Sequence, residues 1–258
     1  MYSIDSKTHP RRQCRAFTLV EMLVVIAIMS ILMTAGAIGL GGMSGKGVST
    51  GVAASESLFD EARATAVGRN LRACVLVAQK MDNSPADDLR RIVIAYEAVE
   101  TNQTAANFGQ AKDPNQTDPT LLNWVLSSRG SVLPEQVYFS DLLSKRDHTA
   151  GSGKIETTSK IVDAANLPLK PTSPLKGSYY IYAFNAQGIS YRPGASFIIG
   201  NGTRNTTQSS TAAPPKVTAA SKRDFGGFVV WRNGLTSIFR SPEQMGSDIK
   251  NLKSGDKF

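Results

Sequence analysis

From Phe17 to Leu40 the chain is apolar almost without a break, and a single charged residue, Glu21, interrupts it. Met22 to Leu40 alone is 19 residues without a formal charge, enough at about 1.5 Å per residue to cross a hydrocarbon core. The pattern then changes. Residues 36–51 carry seven glycines, each costing a helix about 1 kcal/mol relative to Ala. This stretch is expected to be a soft or broken part of a long helix, either a flexible tether or a segment that extends under packing. From Ala53 to Asn70 a helical period returns. Leu58, Ala62 and Ala66 form an apolar stripe with Phe59 beside it, and Glu56, Asp60, Glu61, Arg63 and Arg69 mostly occupy other faces.

Beyond this helix the period is that of strands. Leu71–Gln79 centres on Val75, Leu76 and Val77, and Arg91–Val99 is rich in Ile, Val and Tyr. Trp124–Leu126 and Gln136–Phe139 are short candidates on either side of Leu133-Pro134. Tyr179–Asn185 and Ile189–Arg192 flank Ala186-Gln187-Gly188, a hairpin turn. Phe225–Trp231 and Leu235–Phe239 flank Asn233-Gly234, which readily accepts the positive φ angles of a type I′ turn. Residues 80–90, 101–120, 144–176 and 200–224 read as loops. The last is rich in Ser, Thr, Asn and Ala and is expected to be disordered. The fold class expected is α+β, a long N-terminal helix (membrane anchor plus amphipathic half) packed on an antiparallel β-sheet head.

Charge adds an orientation. The net charge of +8 includes Lys7, Arg11, Arg12 and Arg15 against Asp5, all ahead of the apolar run. By the positive-inside rule that end stays cytoplasmic and the rest of the chain faces outward. A lipoprotein signal fits poorly, because Cys14 precedes the apolar run instead of following it.

The residues Ala16-Phe17-Thr18-Leu19-Val20-Glu21 after this basic leader resemble the processing site of type IV prepilins and type II secretion pseudopilins. The resemblance implies that prepilin peptidase cuts between Ala16 and Phe17 and methylates the new amino terminus of Phe17. Ala16 stands where the family usually has Gly, the nearest residue in size. The implied organisation is a leader at 1–16, a transmembrane and filament-core helix at 17–40, a Gly-rich linker and amphipathic helix at 41–70, and a β-rich periplasmic head at 71–258. The head follows a pilin-like plan. Ser57 to Val75, with its Ala-Arg-x-x-Ala rhythm, resembles the helix-to-first-strand passage of H-type minor pseudopilins and their FimT-like relatives.

Glu21 is the assembly residue in this reading. A carboxylate at membrane depth costs about 3 kcal/mol on insertion scales. Cleavage would leave a positive amine on Phe17, and in a filament that amine would lie close to Glu21 of a neighbouring subunit. Such a pair must repay the desolvation of both charges, so its contribution is register: an unpaired Glu21 disfavours a subunit out of step. The alternative is a helix end at the bilayer surface, with Glu21 reaching the headgroups.

Catalytic chemistry is sparse. His9 and His148 are the two histidines, and His9 leaves with the leader, so no zinc site is expected. The sequence has no Gly-x-Ser-x-Gly and no phosphate-cradling loop. Asp82, Asp87 and Asp88 match no calcium-loop spacing and read as solvated surface residues. Without Cys14, Cys74 would stand alone as a packed thiol. No catalytic residue, cofactor or metal is expected, and the chain reads as a structural subunit, not an enzyme.

The partners implied are prepilin peptidase, other pilin or pseudopilin subunits and the bacterial inner membrane. Nucleic acid is the alternative partner: Lys216, Lys222, Arg223, Arg232, Arg240, Lys250, Lys253 and Lys257 crowd the C-terminal portion, and some FimT-like pilins bind DNA through a basic face. Its interleaved aromatics, Phe225, Phe228, Trp231 and Phe239, read instead as sheet core.

Overall fold

The computed structural model describes residues 20–29, 43–127, 130–204, 214–218, 224–246 and 248–257. Ala16, Phe17, most of the apolar run, and residues 205–213 and 219–223 of the expected disordered loop lie outside them. Residues 20–29 form a helix, α1. No helix among the described residues is long and apolar enough to cross a membrane. Ser44–Phe258 is a compact unit of its own.

Its first element is α2, Met43–Arg69, which lies in that unit from Ser44 onward. The helix starts ten residues earlier than the sequence pattern indicates, so the Gly-rich stretch is helical from Met43 onward and not broken there. Tertiary packing outweighs the glycine cost. Gly51 lies so close to the sheet that a Cβ there would meet Ile199 at 2.8 Å. The buried face is Val48, Val52, Ser55, Phe59, Ala62 and Ala66, spaced by alternate fours and threes. Phe59 is its centre, while Leu58 packs only at the margin. The helix ends as a Schellman motif. Asn70 takes a left-handed φ of 52°. Its N–H donates to Val67 O (3.3 Å), and the Leu71 N–H donates to Ala66 O (3.2 Å).

The chain then enters β1 (Ala73–Met81), β2 (Arg91–Glu97), β3 (Trp124–Leu126), β4 (Ser131–Val132) and β5 (Val137–Phe139). Next come β6 (Lys145–Asp147), β7 (Ser152–Lys154), β8 (Thr157–Thr158) and β9 (Ile161–Val162). The long strands β10 (Gly177–Phe184) and β11 (Ala195–Thr203) precede β12 (Lys216–Val217), β13 (Phe225–Val230), β14 (Thr236–Ile238) and the short helix α3 (Asp248–Asn251). A seven-stranded sheet runs β8-β10-β1-β2-β3-β9, with β4 on β2. A five-stranded sheet runs β12-β11-β13-β14, with β5 on β11. The strands pair antiparallel except β3 with β9. The α+β expectation is met.

The main core lies between α2 and the facing sides of both sheets, and includes Val75, Ile94, Tyr182, Phe197, Ile199 and Phe228. The far face of the seven-stranded sheet has its own core, with Leu76, Val93, Trp124, Tyr179 and Ile181. This explains why β1 is buried on both faces and lacks alternation. It also corrects the loop assignment at 144–176. That segment holds β6 to β9: β6 and β7 pair as a two-stranded sheet of their own, and Ile161 on β9 covers the far face together with Leu169 and Leu175.

Two further corrections concern hairpins. Ile189–Arg192 is no strand and holds only an isolated bridge at Ser190. The strand that follows β10 in the chain is β11, which joins the other sheet, where it pairs with β13, and overlaps the loop expected from residue 200. The Asn233-Gly234 turn is not type I′, since among its central residues only Gly234 has positive φ, at 76°. The Gly234 N–H donates to Trp231 O (2.9 Å), and the Trp231 N–H to Leu235 O (2.9 Å). This is a type I turn closed by a left-handed glycine, the usual three-residue hairpin loop.

Cys74 is fully buried, and burial pushes its thiol well above the ordinary range. Thiolate is the reactive form. Cys74 should therefore react with iodoacetamide at least about 100-fold more slowly than a peptide thiol, and at the peptide rate in denaturant.

Candidate functional site

Glu21 sits in the first described turn of α1, among Val20, Met22, Leu23, Val24, Val25, Ile26, Ile28 and Met29. These apolar side chains are all exposed, from 48% for Val25 to 67% for Val20. A helix that is apolar on every side suits lipid or other helices, not water. Glu21 is the one formal charge on this segment. Ala16 and Phe17 lie outside the described residues, so the geometry of the expected cut is not drawn.

The head contains a buried ion pair at the corner where α2 hands over to β1. The Arg72 guanidinium pairs with Glu97 through Nε and through Nη2 (3.1 Å). Arg72 also donates to the carbonyls of Gln116 and Asp113, the latter at 2.7 Å. Its hydrogen bond to Glu97 raises its affinity for the proton, against the cost of burial. Four of its five N–H donors are taken up by these bonds, so Arg72 acts as a clamp on the 98–118 segment. Neither residue belongs to a motif in the sequence. Glu97 inside the apolar Arg91–Val99 run was the available signal.

Asp88 is a correction: it is buried and not a surface group. Its carboxylate accepts the Met81 N–H at 2.7 Å. Burial pushes its carboxyl up, against the pull of that bond and of Arg204. Asp87 pairs with Arg91 at 2.6 Å, and Asp82 lies 3.7 Å from Lys176. The three aspartates thus have three separate jobs. Among the described residues, no group of three or more His, Cys, Asp or Glu could hold a metal ion. His148 lies with its ring centroid 4.7 Å from that of Phe239, and its Nε2 meets Gln244 O at 2.7 Å.

Four of the basic C-terminal residues lie on two opposite edges of one sheet. Lys216 and Lys257 face each other across a bridge at one edge of the five-stranded sheet, while Arg232 and Arg240 flank β14 on the other edge. Lys222 and Arg223 are outside the described residues. Phe225 and Phe228 are buried as expected, but Trp231 is 45% exposed and is not core. Its Nε1 donates to Ser237 Oγ at 2.8 Å.

Comparison with known proteins identifies the N-terminus. Residues 11–37 match the Prokaryotic N-terminal methylation motif. The matched segment spans Ala16, Phe17 and Glu21, and it supports the type IV pilin and pseudopilin family. No curated protein and no solved structure matches the chain.

Proposed function

We propose that this chain, which carries the prokaryotic N-terminal methylation motif, is a minor pseudopilin or pilin-like structural subunit and not an enzyme. Prepilin peptidase cuts between Ala16 and Phe17 and methylates Phe17. The apolar helix then holds the protein in the bacterial inner membrane, with the C-terminal head in the periplasm. From there it joins other pilin subunits in a type II secretion pseudopilus or a type IV pilus-like filament. The observation that carries this reading is the motif at 11–37, with Glu21 as the lone charge of an apolar helix.

Glu21 gives the test a mechanism. In a water-poor filament core its carboxylate is costly until the Phe17 amine of a neighbour meets it. Mass spectrometry of protein from a host with prepilin peptidase should find an N-terminal methyl-Phe17. Glu21→Ala should still be cut, yet should be missing from sheared filaments. A native polypeptide that keeps its initiator methionine, or normal assembly of Glu21→Ala, overturns the reading.

A further inference from the structure

The five-stranded sheet ends in two different ways. At one edge the chain covers itself: the Val217 N–H on β12 donates to Asp256 O (2.9 Å), and the Gly255 N–H donates to Val217 O (2.8 Å). At the other edge lies β14, and nothing among the described residues pairs with its outer side. The register tells which groups are exposed. Ser237 stands opposite Val229, and the Phe239 N–H donates to Gly227 O at 2.9 Å. In an antiparallel ladder, this alternation turns the N–H and C=O of Ser237 inward and those of Thr236 and Ile238 outward. An open row of this kind is a template for another strand.

A groove runs beside the same edge. Val48, Val52 and Ala53 of α2 form one wall, and Gly226, Ile238 and Phe239 form the other, around about 290 Å³. Ile238 is 49% exposed at its lip. At Gly226 in that wall, a Cβ would meet Val52 at 2.9 Å. Glu56 on the adjoining helix face accepts the Thr236 hydroxyl at 2.6 Å. Arg232, in the turn that precedes the strand, and Arg240, two residues beyond it, are both exposed.

We propose that β14 is a docking edge for an extended segment of another polypeptide, one with apolar side chains at alternate positions and carboxylates near its ends. Backbone bonds to Thr236 and Ile238 supply the pairing, every second side chain enters the groove, and Arg232 and Arg240 meet the acidic ends. A second copy of this chain fits less well. Antiparallel self-pairing about Ser237 would set Thr236 against Ile238 and bring Arg232 and Arg240 of the two copies to the same ends, where like charges repel. This inference goes beyond the proposed function, since it does not depend on cleavage before Phe17.

The test uses full-length protein in detergent micelles and a fluorescein-labelled peptide of alternating Val and Thr with Glu at both ends. Fluorescence anisotropy should show saturable binding. Methylating the peptide's pairing amides should weaken it at least about tenfold, and replacing the terminal Glu by Lys about threefold or more. Ile238→Pro removes an outward N–H without touching the inner ladder, which edge strands tolerate. It should weaken binding about tenfold or more at an unchanged urea midpoint. If that variant unfolds, Ile238→Lys decides by the same readout. No saturation up to about 1 mM peptide, or equal binding of the methylated peptide, overturns the proposal. So does a concentration-dependent dimer that Ile238→Pro or Ile238→Lys abolishes, which would make a second copy the occupant.

Discussion

Phe59→Ala should cost the head about 3–5 kcal/mol of stability, toward the upper end of the range for aromatic truncation. The ring is fully buried and sits where three layers meet. Its centroid lies 5.1 Å from Tyr182 and 6.4 Å from Phe184 on β10 of one sheet. On the other sheet it lies 5.5 Å from Phe197 on β11 and 4.9 Å from Phe228 on β13. All four contacts are edge-to-face, each adding about 0.5–1.5 kcal/mol beyond area burial. Removing the ring opens a void that neither sheet can fill without leaving the helix. Urea unfolding of the detergent-solubilised chain measures the loss, and the melting temperature should fall by roughly 8–16 °C. Phe59→Leu, closer in volume, should lose only about 1–2 kcal/mol. A loss below about 1 kcal/mol for Phe59→Ala would mean that this ring is not the joint of the fold.

Glu97→Ala should be nearly as damaging, by a different route. It leaves the Arg72 guanidinium, whose side chain is 10% exposed, without its counter-charge. Breaking one side of a buried pair costs about 3–5 kcal/mol, mostly the penalty of the orphaned charge. The Arg72 N–H also loses its acceptor, Glu97 Oε2 at 3.0 Å. Replacing both partners, with Arg72→Met and Glu97→Leu together, should recover most of the loss, because no charge is then left buried. Hydrogen exchange adds a local readout. In Glu97→Ala, amides of the 98–118 segment should open before those of β1, since Arg72 holds the Asp113 and Gln116 carbonyls. A double variant as unstable as Glu97→Ala would show that packing around the pair, not its charge, carries the effect.

Much of the fold can be read in the chain, and the gaps have physical causes. Trp124–Leu126 coincides with its strand, and the first, second and tenth strands lie within about two residues of their apolar runs at either end. The start of α2 was illegible because propensity weighs each glycine alone. Only the sheet reveals that Gly51 and Gly226 permit close approach. The strand Ala195–Thr203 does not stand out in the sequence because Gly200 and Asn201 look like turn residues, yet both are buried mid-sheet, with Asn201 Nδ2 donating to Asp224 Oδ2 at 3.2 Å. At the N-terminus, the proposed roles of Ala16, Phe17 and Glu21 rest on the motif match at residues 11–37. In the head, Arg72 and Glu97 lie 25 positions apart, a separation that no local pattern spans.

The seating of α2 on Gly226 has an evolutionary corollary. A methyl group at position 226 would press on Val52 at 2.9 Å and on Val48 at 3.0 Å. A descendant that gains a side chain there must shed bulk from one of those valines or lift the helix. Drift on the two surfaces is thereby coupled, and a substitution on one narrows what the other accepts.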